Sequence, residues 1–188
     1  IQGCHQGVMA NCSEYNRGFD WVIRNNIFVD CWAWGLDMHA IKNVKVYHNL
    51  FANLKTNGVG FRPGSTGEVK NNLFYNSGNG YFKDSGASYT AEKNLIYFTS
   101  KTVSASNFPK DIINVNPQFV NAAGFDFHLQ ASSPAINAGL NVGVNADRDG
   151  HARPQGGGYD IGPYEYGSTG PALPTLSLSN LSVNEGNS

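Results

Sequence analysis

The sequence predicts an all-β solenoid of about four coils, ~23 residues each, closed by a C-terminal cap. Three observations lead there. The segments NNIFVDCWAWGLDMHAIKN from Asn25, HNLFANLKTNGVGFRPG from His48 and NNLFYNSGNGYFKDSG from Asn71 superimpose on one another. Asn26, Asn49, Asn72 and Asn94 anchor the repeat at spacings of 23, 23 and 22 residues, and Gly35, Gly58 and Gly80 keep step. Glycine and asparagine, both turn residues, are in excess, so the chain must turn often and a helical bundle is excluded.

Each element follows from stacking, which places equivalent residues above one another. Ile27, Leu50, Leu73 and Leu95 form one apolar column, and Phe28, Phe51, Phe74 and Ile96 form the next; Ile23, Val46 and Val69 form another. Each is expected to give a core running along the axis. Asn26, Asn49, Asn72 and Asn94 are expected to form a structural ladder, with side-chain amides bonding to the next coil at a tight turn. His48 takes an Asn-like ladder position. Residues 1–98 are read as coils, the first 20 or so being the remains of an earlier one. Residues 99–166 lose the period and suit a cap, which a solenoid needs to cover its last coil. Residues 167–188 read as a linker and the start of a further domain. The N-terminal coil face has no comparable cap, so it either continues into earlier sequence or pairs with another copy; self-association there is the expectation.

Composition narrows the function. Charged residues make up only 14% of the chain, and 11 Phe with 9 Tyr exclude a disordered tail. A net charge of −1 without a basic cluster argues against nucleic acid as a partner. No apolar run approaches the ~20 residues of a membrane helix. Cys4, Cys12 and Cys31 lack zinc-site spacing and are too few for a disulfide framework; pairing of Cys4 with Cys12 stays open, and Cys31 reads as a small buried side chain. Asp147-Arg148-Asp149-Gly150 lacks the later Glu of a calcium loop and reads as an Asx-capped turn. His5, His48, His128 and His151 show no ligand spacing, so no metal site is expected.

Period-two alternation after each coil glycine sorts the side chains. Leu36, Met38, Val59, Phe61 and Tyr81 face inward, with Lys83 breaking the pattern; Asp37, His39, Gly60, Arg62, Phe82 and Asp84 face outward. His39, Arg62 and Asp84 then stack in one outward column at about 4.8 Å per coil. In uronate β-elimination Arg62 would hold the carboxylate and His39 would serve as base, these two being the catalytic candidates. Gly60 would leave open space between them, and Asp84 would hold Arg62. Asp37, Asp84, Trp32 and Trp34 are the binding candidates. The two tryptophans share a turn before Gly35, where they either stack on sugar rings or, for one of them, fold back over the coil flank.

The pattern NN-x-F…G resembles the right-handed parallel β-helix repeats of bacterial extracellular polysaccharide-active proteins, the pectate-lyase-like superfamily. The stretch NPQFVNAAGFDFHLQASSPAINAG from Asn116, with ADRDGHARP and YDIGPYEY, is similar to the C-terminal end of β-helix proteins with a choice-of-anchor Q domain. Right-handedness is implied by that resemblance alone. TLSLSNLSVNEGNS resembles the first strand of a Calx-beta or cadherin-like domain. The FRPG segment resembles the Arg-containing coil of polysaccharide lyases that share the fold, chondroitinase B and alginate lyases among them. In this chain His39 stands where those enzymes carry a lysine base, and their pair of acidic calcium ligands is missing, with only Asp37 near. The resemblance implies a secreted or cell-surface bacterial protein whose partner is a polysaccharide, with no cofactor unless calcium binds. Three functions are expected in turn: recognition of acidic polysaccharide without cleavage, favoured by the near absence of loop insertions; a lyase; and a structural spacer of a surface protein.

Overall fold

The computed structural model describes Val8–Asn11 and residues 20–167. Cys4, Cys12, His5, the sequence beyond Gly167 and most of the N-terminal face expected to self-associate lie outside the described residues.

Among the described residues fifteen strands build the fold, twelve of them as a repeating triplet. One sheet stacks β1 (Val8–Asn11), β4 (Leu36–His39), β7 (Val59–Phe61) and β10 (Tyr81–Lys83). A second stacks β2 (Val22–Arg24), β5 (Val44–Tyr47), β8 (Thr66–Lys70) and β11 (Ser88–Glu92). The third holds β3 (Ile27–Val29), β6 (Leu50–Ala52), β9 (Leu73–Tyr75), β12 (Leu95–Tyr97) and β13 (Ile112–Ile113). All pairings in these three sheets are parallel and in register with the repeat. The result is a parallel β-solenoid of about three turns, slightly fewer than the four coils expected, because the repeat from Asn26 to Asn94 spans three coil-to-coil steps.

The ladder forms at the bend between the second and third sheets. Asn25, His48, Asn71 and Lys93 each adopt φ between 52° and 57° there, a left-handed conformation that asparagine tolerates well. Each following asparagine uses its side-chain oxygen to accept from the backbone N–H one coil earlier, at 3.0 Å for Asn26 to Asn49, 2.9 Å for Asn49 to Asn72 and 3.0 Å for Asn72 to Asn94. Asn49, Asn72 and Asn94 are wholly buried, so these bonds satisfy amides that water cannot reach. Asp111 ends the ladder by accepting from the Asn94 backbone N–H at 2.9 Å and its side chain at 3.1 Å.

The two adjacent apolar columns point to opposite faces of the third sheet. Phe28, Phe51 and Phe74 stack inside the solenoid with ring centroids 5.0 Å apart and nearly parallel planes. Leu50, Leu73 and Leu95 point outward, yet all are fully buried. Neighbouring apolar residues on a strand require cover on both faces, and the C-terminal segment supplies the outer one. It begins as the expected cap, with Val103 and Phe108 packing on the core at the end of the last turn. From Phe119 onward it departs from the expected end-cap and runs back along the flank. There β14 (Phe119–Asn121) and β15 (Asp126–Leu129) pair antiparallel, and Phe127, Leu129 and Ile161 pack on the leucine column. The segment reaches the first turn, where the Asn25 amide donates to Ala146 O at 2.8 Å.

A buried ion pair fixes this flank. Arg153 donates to Glu165 at 2.5 Å and to Gly162 O at 2.8 Å, and Glu165 accepts the backbone N–H of Asp160 at 2.9 Å. The Asp147 turn forms as an Asx-capped turn: one carboxylate oxygen accepts the backbone N–H groups of Asp149 and His151, each at 2.9 Å.

Candidate functional site

The outward column lies on the first sheet. Register places Asp37, Gly60 and Phe82 side by side, with His39, Arg62 and Asp84 two residues further along each chain. Alternation makes this face outward, but it is not open. Trp34 and Phe82 lie over Gly60, where an added Cβ would come within 3.2 Å of the Trp34 ring and 2.6 Å of the Phe82 ring. The space expected above Gly60 is therefore filled, because the absent side chain lets both rings settle onto the sheet.

The four polar groups form a chain of contacts. Arg62 Nε donates to Asp37 at 2.8 Å and Nη1 donates to Asp84 at 3.0 Å, while His39 Nε2 is 3.2 Å from the other Asp37 oxygen. The Arg62 guanidinium packs against Trp34 at 4.6 Å and Phe82 at 5.2 Å, a cation–π arrangement that shields it on its inner side. Asp37 is only 4% exposed. Hydrogen bonding to Asp37 raises the Arg62 pKa; partial burial opposes the rise and Asp84 adds to it. With a neutral imidazole, two carboxylates surround one guanidinium, so the cluster carries net negative charge. Nε and Nη1 of Arg62 are thus each held by a carboxylate, and an incoming carboxylate would meet a guanidinium already paired with two negative charges.

The two tryptophans part company. Trp34 folds back onto the sheet, while Trp32 is 61% exposed at the corner between the third and first sheets. The Lys55 ammonium, one coil on, lies 4.7 Å from the Trp32 ring. Lys101 follows at the same corner, donating to Gly78 O at 2.6 Å. The structure thus brings together Asp37, His39, Arg62, Asp84 and Trp34 and leaves Trp32 on a separate, lysine-flanked ridge. Among the described residues no group of His, Cys, Asp and Glu gathers as a metal site would require.

Sequence reasoning passed over two features. A groove of about 490 Å³ opens on the second sheet, lined by Lys45, Thr66, Glu68, Ser88, Tyr89 and Thr90. Its sequence signal is the run of hydroxyl residues at equivalent coil positions. Phe82 was placed outward without a role, although a phenylalanine at an outward position is itself a sign that something packs there.

Comparison with known proteins brings no match: no family model, curated protein or solved structure aligns with the chain.

Proposed function

We propose that the chain is a carbohydrate-recognising segment of a secreted or cell-surface bacterial protein with a right-handed, pectate-lyase-like β-helix, and that it binds acidic polysaccharide without cleaving it. The observation that carries this reading is the corner ridge of exposed Trp32 with Lys55 beside it. A tryptophan face packs on the apolar side of a pyranose ring, and an adjacent ammonium suits a carboxylate on the same sugar. Successive turns are about 4.8 Å apart, so Trp32 and Lys55, one coil on, can meet the same sugar. The pairing of Arg62 with both Asp37 and Asp84 supports binding over cleavage, since a lyase draws on that positive charge to stabilise the developing enolate.

A lyase is the second reading, favoured by the buried Asp37 beside His39. With Nε2–H given to Asp37, Nδ1 would be the nitrogen able to take a proton. A structural spacer remains the third. Affinity electrophoresis in gels of pectate, alginate and chondroitin, run beside an ultraviolet assay for unsaturated product, separates the three. The expected result is retardation in at least one gel, lost in Trp32→Ala and kept in Arg62→Ala, with no product. Product abolished by Arg62→Ala would establish the lyase instead, and neither signal would leave the spacer.

A further inference from the structure

Lys83 occupies a row in which its neighbours are core. Its register partner on β7 is Phe61, whose own partner on β4 is Met38, and both are fully buried inside the solenoid. The last member of that row is a lysine because the first sheet ends at β10: among the described residues no further strand stacks on it, whereas the third sheet gains β13. The segment around Val103–Phe108 covers this end incompletely. A hollow of about 340 Å³ remains, lined by Tyr81, Lys83, Tyr89, Phe108, Asn79 and Asn107.

The lining is chemically specific. Tyr81 meets Tyr89 and Phe108 edge-on, with centroids 5.4 and 5.1 Å apart, so the rings brace one another. The Tyr81 hydroxyl is held by Asp111, the residue that also ends the asparagine ladder. The Lys83 side chain, exposed at the hollow that these rings also line, has no ion pair or hydrogen bond with any described residue. Such a hollow, with aromatic walls, a few amides and one uncommitted cation, has the size and make-up of a small-ligand site.

We propose that this end hollow binds a uronate residue, its carboxylate on the Lys83 ammonium, its ring against the aromatic wall, and its hydroxyls within reach of the Asn79 and Asn107 amides. This rests on the reading of the chain as a carbohydrate-binding segment and assigns it a second contact, separate from the Trp32 ridge. Charge selects the ligand, since only an acidic sugar would gain a charge-assisted hydrogen bond from Lys83. The hollow lies at one end of the solenoid, so it suits a chain terminus or a short oligosaccharide.

Titration of the whole chain with digalacturonate, followed by amide NMR, tests the assignment. The expected result is a set of shifts at Tyr81, Lys83 and Asn107, with affinity falling about tenfold or more in Lys83→Gln, as for loss of one charge-assisted hydrogen bond. Trp32→Ala should leave these shifts unchanged, and the neutral disaccharide galactobiose should produce none. Shifts confined to the Trp32 and Lys55 corner, or equal affinity in Lys83→Gln, would overturn the hollow while leaving the polysaccharide reading intact. Binding of digalacturonate at the hollow without retardation in any polysaccharide gel would support the hollow and sink the ridge. Absence of any shift would overturn the hollow whatever the gels show.

Discussion

His48 and His128 are pulled in opposite directions by their surroundings. Burial, and next the Arg153 charge, lower the pKa of His48 to about 3. A native pKa below the unfolded value near 6.5 means that the unfolded chain binds the proton first. His48 therefore costs stability progressively as pH falls from about 6.5 toward 3. His128 lies between two carboxylates, 2.6 Å from Asp126 and 2.8 Å from Asp149, and stacks on Tyr164. Both ring nitrogens can donate only in the imidazolium form. Its pKa is raised: partial burial, the largest single influence, lowers it, but the bonds to Asp149 and Asp126 together outweigh that. The stability it adds is complete below about 6.5 and fades as pH rises through the raised value. Melting temperatures measured across this range should show His48→Asn losing less stability than the wild type on acidification, and His128→Gln flattening the alkaline side. An unchanged acid limb in His48→Asn would refute the first assignment. The His128 effect should be the smaller, because that side chain is 46% exposed.

Two elements hold the turns in register by different means. The ladder does so with hydrogen bonds that have no solvent substitute. Asn72 alone donates to Val46 O at 2.8 Å and Lys70 O at 2.9 Å while accepting from Asn49. Asn72→Ala strands several buried groups, each costing about 1–3 kcal/mol, and urea unfolding should show a loss of at least that size; a loss below about 0.5 kcal/mol would mean that water replaces the amide. The flank does so by close packing. Gly162 adopts φ of +102°, and a Cβ there would stand 2.4 Å from Leu73 Cδ1. Gly162→Ala therefore combines backbone strain with overpacking, each on the order of 1–3 kcal/mol, and a melting curve unshifted from wild type would show that the segment does not press on the leucine column.

At the scale of the whole molecule, the C-terminal segment joins the last turn to the first. It packs along the third sheet from Phe119, against Tyr75, to Arg148, which donates to Asn25 O at 3.2 Å. The Arg153–Glu165 pair at its centre has no exposed side-chain surface. Removing one partner leaves the other charge buried, a change worth about 3–5 kcal/mol. Glu165→Gln should therefore release the segment: limited proteolysis is expected to cut within residues 114–167 in the variant at protease levels that spare the wild type. Equal resistance of both proteins would show that the leucine column suffices to hold the segment without the ion pair.

The repeat, the three columns and the ladder were legible in the sequence because stacking converts a 23-residue spacing directly into spatial neighbours. His39, Arg62 and Asp84 were grouped for the same reason, by counting from the coil glycines. Local pattern could not say which face of the third sheet each apolar column takes, since both columns are equally apolar and only a partner beyond the sheet distinguishes them. That partner, the segment from Phe119 to Tyr166, lies up to 128 residues from what it touches, a separation no periodicity spans. The same limit applied at the candidate site. Outward position followed from alternation, but the closing of Trp34 and Phe82 over Gly60, and the capture of Arg62 by Asp37 and Asp84, depend on side-chain packing between turns. The sequence by itself determined a stacked β-solenoid with an asparagine spine; only the tertiary structure decided that its flank is covered, that its arginine is already engaged, and that Lys83 faces an unfilled end.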